Sequence, residues 1–404
     1  MAEGQSRTRL LDLTRLVSRL GRGPMTGIDR VEYAYLTRFL AEESPLFALV
    51  RSSAGFLLLD RSGCQAFWQI IDGQTPLPRA DLLSRLTHRG NPIRARAETA
   101  VRELAVRRSS RLGLHRLLRR LPGGFGYFNT GHANLDARVL AGVRRIGGTV
   151  TVLVHDTIPL DHPEFARSDR VAGFRRKLAA VSAGADRVIH LSHATRATTE
   201  AQFARLGRVP PGLVAPLGVA LPAPDPTLLP ADLDLTRPYF ITLGTIEPRK
   251  NHALLLDVWD RLPSPQPQLF IIGNRGWAGA ELLQRLDNLP PDGPVRVMVG
   301  LPDGAVAALI RGAHALLAPS RAEGFGLPPV EAALSATAVI ATDLAVTREL
   351  LGNKAVYLPP DDIYSWMETI IGLTVHPASD PLSQDPPLRL TWAEHFNAVL
   401  TDGW

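Results

Sequence analysis

Six short apolar runs set the fold options for the second half of this chain. They are Tyr239-Phe-Ile-Thr-Leu243, Leu269-Phe-Ile-Ile272, Val295-Arg-Val-Met-Val299, Ala315-Leu-Leu-Ala318, Val339-Ile-Ala341 and Ala355-Val-Tyr-Leu358. Most are followed by a turn and then a segment with helical spacing of apolar residues, over 253–262, 280–289, 305–313 and 330–335. Runs this short and this apolar suit strands covered on both faces, and amphipathic helices between them must bury their stripes on the sheet. Strand–helix alternation of this kind predicts an α/β fold with a parallel, doubly wound sheet.

The first half repeats the pattern with more interruptions, at 46–51, 56–59, 127–129, 150–154, 187–191 and 214–216. A chain of 404 residues exceeds one ordinary core, so two domains follow. The reading places an N-terminal domain over 1–225, a Pro- and Asp-rich linker over 226–235 and a C-terminal domain over 236–375. A tail over 376–404 ends in an amphipathic helix carrying Trp392 and Phe396, expected to cross back onto the N-terminal domain.

The single Cys64 excludes an internal disulfide and a Cys-based zinc site, and fits a reducing, cytoplasmic setting. The first residues lack the apolar core of a signal peptide, and no run of 18 apolar residues occurs. The net charge of +6 is concentrated in the arginines from Arg85 to Arg120, where Leu114, Leu117, Leu118 and Leu121 form an i, i+3, i+4, i+7 stripe. Such a segment predicts an anionic membrane surface as a partner and a peripheral position on the inner membrane face, or else a helix folded on its own domain. No nucleic-acid module accompanies the charge, so nucleic acid is not an expected partner.

The chemistry concentrates in Glu323-Gly-Phe-Gly-Leu-Pro-Pro-Val-Glu331. Pro328 and Pro329 suit the first turn of a helix, which puts Glu331 about one turn inside it and Glu323 on the preceding turn. Gly324 and Gly326 let backbone approach a ligand, and free N–H groups at a helix start attract anions. A second helix start follows Gly244-Thr-Ile-Glu-Pro-Arg-Lys-Asn251, where Arg249 and Lys250 can hold a diphosphate without a metal. Carboxylates beside anion-suited helix starts fit a ligand bearing both hydroxyls and phosphates, such as a sugar nucleotide. Asp232-Leu-Asp234 falls in the linker, and neither a His-Glu-x-x-His, a Gly-x-Gly-x-x-Gly nor a Gly-x-Ser-x-Gly occurs, which disfavours metal, nicotinamide and serine-elbow chemistry.

The ordered set of Gly244 with Glu-Pro-Arg-Lys-Asn251, Ile271-Ile-Gly-Asn274, Gly300 and Pro319-Ser-Arg-Ala-Glu-Gly-Phe-Gly-Leu-Pro328 through Glu331 resembles retaining glycosyltransferases with the GT-B fold. The type is that of the glycosyl transferases group 1, and the closest likeness is to mannosyltransferase-like bacterial enzymes of surface polysaccharide assembly. Thinner matches lie at Thr26-Gly-Ile-Asp-Arg-Val31, Val154-His-Asp-Thr-Ile-Pro159 and residues 185–194. The resemblance implies two Rossmann-like domains with parallel sheets facing a central cleft. It implies hexosyl transfer with retention from an NDP-sugar, GDP-mannose first, to a glycan or lipid-linked saccharide, with no metal and no cofactor.

It also implies roles. Lys250 and Arg249 would neutralise the diphosphate, Glu323 would contact the transferred sugar, and His155 would lie near that sugar. Gly27, Gly244, Asn251, Gly324, Phe325, Gly326 and Leu327 would line the donor, and Glu331 would accept from the ribose hydroxyls. His132 and Asn134 would face the acceptor. Many relatives have a further basic residue after the strand glycine, where this chain has Thr245, which leaves more of the clamp to Arg249. A sugar-nucleotide epimerase, a glycan phosphorylase and a non-catalytic transferase-like scaffold are the alternative readings.

Overall fold

The computed structural model describes residues 7–401 except 22, 24, 123 and 376–387, so 376–387 and 402–404 of the expected tail lie outside the described residues. Eight strands form the first sheet: β1 Arg9–Asp12, β2 Leu46–Ser52, β3 Gly55–Leu59, β4 Arg107–Ser109, β5 Gly126–Asn129, β6 Thr149–Val154, β7 Arg187–His190 and β8 Gly212–Val214. Their spatial order is β4-β3-β2-β1-β5-β6-β7-β8. The pairs β2–β3 and β3–β4 are antiparallel and all others parallel, so this sheet is mixed at one edge rather than wholly parallel.

Six strands form the second sheet: β9 Tyr239–Leu243, β10 Gln268–Ile272, β11 Val295–Met298, β12 Ala315–Ala318, β13 Val339–Thr342 and β14 Val356–Leu358. The order is β11-β10-β9-β12-β13-β14, and every pair is parallel. Leu269, Phe270 and Ile271 are all buried, which is why the strand reads as a continuous apolar run instead of an alternating one. Two such sheets make the architecture α/β with two Rossmann-like domains.

Strand order decides where ligands can sit. In each sheet the chain reverses its direction of travel once, between β1 and β5 and between β9 and β12. The loops beyond the carboxyl ends of those paired strands diverge to opposite faces and leave a crevice between them. The residues given site roles from the sequence, except Gly27 and His155, lie on these four loops or the helices they lead into, while Ile271–Asn274, Gly300 and residues 185–194 lie on or follow other strands.

The last helix, Trp392–Thr401, packs on the N-terminal domain. Phe396 stands edge-on to Tyr35 with ring centroids 4.9 Å apart, and the Tyr35 hydroxyl meets His395 Nε2 at 2.9 Å. Val219 N donates to Leu390 O at 2.9 Å. Burying a phenylalanine contributes about 1.5–3 kcal/mol, and Val399 and His395 are buried on the same helix.

The leucine stripe at 114–121 has a different outcome from a membrane face. Its helix runs only over Leu114–Leu118, and Leu114, Leu117, Leu118 and Leu121 are all buried in the N-terminal core beside Val139 and Leu140. The apolar side chains that the segment does expose are Leu86, Ile93, Val106 and Leu112, with Leu82 and Leu83 just before it on the helix Leu82–Thr87.

Candidate active site

The loop after β9 passes Gly244, makes a 3-10 turn over Pro248–Lys250, and enters the helix His252–Trp259 through Asn251, which is left-handed at φ 55°. Arg249 and Lys250 therefore sit in the turn before the helix, not on it. Because β12 lies beside β9, the Pro319–Gly326 loop runs alongside that turn, and Arg321 N donates to Arg249 O at 2.7 Å.

Glu323 is the meeting point of the two loops. Its carboxylate accepts from Arg249 Nη1 at 2.8 Å, from Ser320 Oγ at 2.7 Å and from Lys250 Nζ. Arg249 also reaches Glu247 at 2.6 Å and Ala322 O at 3.1 Å. Burial alone would push the Glu323 carboxyl up, but the charges of Lys250 and Arg249 outweigh it and hold the group down at about 2. Glu323 is thus a fixed anion at any physiological pH. The two cations are already partnered, so an arriving diphosphate would exchange with Glu323 for them.

Gly324 explains why a glycine follows. A Cβ there would stand 2.6 Å from His155 O and 2.9 Å from Asp156 Cβ, so the loop touches the opposite domain with no room for a side chain. Gly326, at φ 80°, turns the chain into the helix Leu327–Leu334, and Pro328 and Pro329 occupy its first turn. Phe325 is buried as a core residue, and Leu327 Cδ1 lies against Gly27, where a Cβ would come within 3.1 Å of it.

Glu331 lies inside that helix and meets a partner the sequence reading did not assign. Arg30, on the helix Gly27–Ala41 of the other domain, donates from Nη1 to Glu331 Oε1 at 2.7 Å and reaches Asp303 from Nη2 at 3.4 Å. Burial raises the Glu331 carboxyl, against the pull of Arg30. Asn251 donates from its side chain to Pro360 O at 2.9 Å and so ties the loop after β9 to the end of β14.

On the N-terminal side His155 ends β6. Its Nε2 lies 2.6 Å from Thr130 O, so that nitrogen carries the proton and Nδ1 is the acceptor. Burial lowers the ring to about 4, which keeps it neutral at pH 7. His132 Nε2 donates in the same manner to Leu153 O at 2.9 Å, and the two rings stand 5.0 Å apart. Asn134 turns inward: its Nδ2 donates to Asp12 Oδ2 and Thr14 Oγ1, both at 2.7 Å. Tyr127 also donates to Asp12, at 2.8 Å, and burial lifts that carboxyl to about 6.

Asp12, Arg30, Asp156, Glu247, Ser320 and Asp303 are thus site or site-wall residues that sequence reasoning did not single out. Arg30 stands within the quoted Thr26-Gly-Ile-Asp-Arg-Val31 segment, Asp156 within 154–159, Glu247 within 244–251 and Ser320 within 319–328, so for these four a signal was present without a role, and for Asp12 and Asp303 there was none. Among the described residues, no group of three or more His, Cys, Asp or Glu side chains is placed to hold a metal ion.

Residues 230–375 match the glycosyl transferases group 1 family. The serotype-specific mannosyltransferase WbdA of Escherichia coli is 30% identical over 280 residues, which is 64% of this chain and 34% of that protein. The O-antigen chain mannosyltransferase RfbU of Salmonella typhimurium is 36% identical over 135 residues, 33% of this chain and 37% of that protein. The chain spans about a third of the length of these curated relatives. Among solved structures, HepE of Anabaena in complex with UDP superimposes with a TM-score of 0.59 at 15% identity, over 97% of this chain and 94% of that one. The chain is a GT-B fold protein, similar to bacterial mannosyltransferases, with the glycosyl transferases group 1 family represented by its residues 230–375.

Proposed function

We propose that the chain is a retaining glycosyltransferase that moves a hexosyl group, mannosyl as first choice, from a nucleoside-diphosphate sugar to a glycan or lipid-linked saccharide in surface polysaccharide assembly. The observation that carries this reading is the convergence of Arg249, Lys250 and Glu323 from the two loops flanking the β9–β12 crevice. The mannosyl choice is supported by the relatives WbdA and RfbU, and the nucleotide by the UDP bound to HepE.

Arg249 and Lys250 turn from Glu323 to the diphosphate and stabilise the charge that grows on it as the sugar–phosphate bond breaks, the task a metal performs elsewhere. The acceptor oxygen bonds to the anomeric carbon on the face the phosphate leaves, and its proton passes to the departing phosphate oxygen. Nucleoside diphosphate is released, and no protein base is consumed. Glu323, ionised and freed of part of its pairing, accepts hydroxyls of the moving sugar. His155, neutral, offers Nδ1 as a hydroxyl acceptor. Glu331 exchanges Arg30 for the ribose.

The decisive experiment measures nucleoside-diphosphate release and product anomer with and without EDTA. Transfer should persist in EDTA, retain the anomeric configuration, and fall at least about a hundredfold in Glu323→Ala and Lys250→Ala, the loss typical when a transition-state partner is removed. Unchanged transfer in both variants would sink the site assignment.

A peripheral membrane position is part of the same proposal. Leu82 and Leu86 are 76% and 59% exposed on one short helix, and Arg79, Arg85, Arg89 and Arg96 line a recess of about 620 Å³ beside it. Apolar side chains ringed by cations suit an anionic bilayer surface. Among the described residues no helix is long and apolar enough to cross a membrane. Flotation with phosphatidylglycerol vesicles should carry the protein up, and Leu82→Ser with Leu86→Ser should leave it at the bottom.

A further inference from the structure

Residues 185–194 carry a contact between the two domains rather than a group of the candidate active site. β7 ends at His190, and Ser192 caps the helix His193–Arg205, its Oγ accepting from Thr195 N at 3.0 Å. Arg196 N donates to Ser192 O, also at 3.0 Å. The remaining two N–H groups of that first turn, on His193 and Ala194, donate to Glu349 at 2.6 Å and 2.8 Å, one to each carboxylate oxygen. Glu349 belongs to the other domain, on the helix Ala345–Leu351. A helix start leaves its first N–H groups without partners, and an anion seated on them gains from the helix dipole as well. Beneath the pair, Ala194 packs against the core that holds Val346 and Leu350.

Strand register puts this pair close to the reacting groups. Val154 pairs with His190, so the end of β7 lies one strand from His155. Ala318 pairs with Ala341, so β13, which leads into the helix of Glu349, lies one strand from β12 and the Pro319–Gly326 loop. Neighbouring strands are about 4.8 Å apart. In both sheets, then, the Glu349 pair stands about one strand outward from the point where Gly324 meets His155 O. Arg30 with Glu331 also joins the domains, but that pair lies in the donor site and parts when Glu331 takes the ribose. Glu349 holds backbone N–H groups that no substrate role claims, so nothing in the reaction displaces it.

We infer that Glu349 is a positioning residue for the transfer: seated on the His193 and Ala194 N–H groups, it sets the gap across which His155 faces the Gly324 loop. It holds that gap while the donor replaces Arg30 at Glu331. The inference rests on the transferase reading of the same cleft. Because the pair sits one strand away, a shift there passes to the reacting groups with little loss, and a misplacement of about 1 Å can cost about a hundredfold in rate. Donor affinity is spared, since Arg249, Lys250 and Glu331 all stand on the domain that carries Glu349.

Two variants of the full chain test this. Glu349→Gln turns one acceptor oxygen into an NH₂ group that faces an N–H, and Glu349→Ala removes both acceptors. Each should release GDP from GDP-mannose about tenfold to a hundredfold more slowly at saturation, yet bind GDP in calorimetry as tightly as the parent. The thermal unfolding midpoint should hold, because an exposed carboxylate contributes little to global stability. Hydrogen exchange at the His193 and Ala194 amides should quicken in both variants. A kcat equal to the parent's would overturn the role of Glu349 and leave the transferase reading standing. So would a midpoint that fell together with kcat, which is the mark of a merely structural contact. If the unaltered chain released no GDP, the mannosyl-donor reading would fail instead. Exchange would then judge the contact alone, with unchanged amides counting against it and faster ones for it.

Discussion

Replacing Glu323 with Gln keeps the shape of the side chain and removes the charge that Arg249 and Lys250 share. The magnitude follows from the site. Glu323 has an ordinary carboxyl value of 4.5 when unfolded and about 2 when folded, with only 10% of its side chain exposed. That gap corresponds to about 3 kcal/mol of folding free energy. A folded value below the unfolded one means the stabilisation is fully present above pH 4.5 and is lost as the pH falls toward 2. Asp12 and Glu331, which burial raises, move the other way, but they are common to both proteins and cancel in the difference. Asp156, raised in part by the Glu323 charge, is relieved in the variant and offsets some of the loss. The assay is urea unfolding followed by circular dichroism at a series of pH values, for the parent chain and Glu323→Gln. The variant should be about 3 kcal/mol less stable at pH 7, and the difference should shrink below pH 4.5 as the parent's own carboxyl takes up its proton. A penalty that stayed constant with pH would refute the electrostatic account and assign the loss to packing. No penalty at all would mean that the three-way pairing contributes nothing.

Three further outcomes follow from other parts of the site. Gly324→Ala should push the Pro319–Gly326 loop off His155 O, 2.6 Å from the new methyl, at a cost of about 1–3 kcal/mol, and cut transfer while far-ultraviolet dichroism stays unchanged. Arg30→Ala should cost only about 1 kcal/mol in unfolding midpoint, since the arginine is a third exposed, yet leave Glu331 more readily protonated, seen as donor binding that weakens at lower pH than 7. His155 should titrate near 4 by imidazole proton–nitrogen NMR, so the transfer rate should show no inflection from it between pH 6 and 8. An inflection near 6.5 that vanished in His155→Gln would contradict its burial.

The C-terminal sheet was legible in the sequence because its strands are short apolar runs, all but β13 fenced by Gly or Pro, and all six expected runs became β9 to β14. The N-terminal sheet was less so. Its β1 has only Leu10 and Leu11 between polar residues, and the helix Thr14–Arg19 starts almost at once. Yet β1 is the inner strand from which the sheet runs both ways, and it delivers Asp12 to the polar cluster with Asn134. Two leucines between an arginine and an aspartate make no apolar run, and neighbours distant in sequence hold β1 in place. The 114–121 stripe failed for the opposite reason: its spacing is real, but spacing does not say whether an apolar face meets lipid or its own core.

By itself the sequence determined the alternating architecture, the punctuation of the loops and the identity of the chemical groups, since these depend on neighbours a few residues apart. It placed Glu323, Lys250 and Arg249 in one candidate site, as loops beyond strands of one sheet. Tertiary structure alone decided their present partners. The cations are spent on Glu323, Glu331 is held by Arg30 from 301 residues away, and Gly324 abuts the other domain. Those contacts depend on strand order and on how the two sheets face each other, which no local pattern encodes.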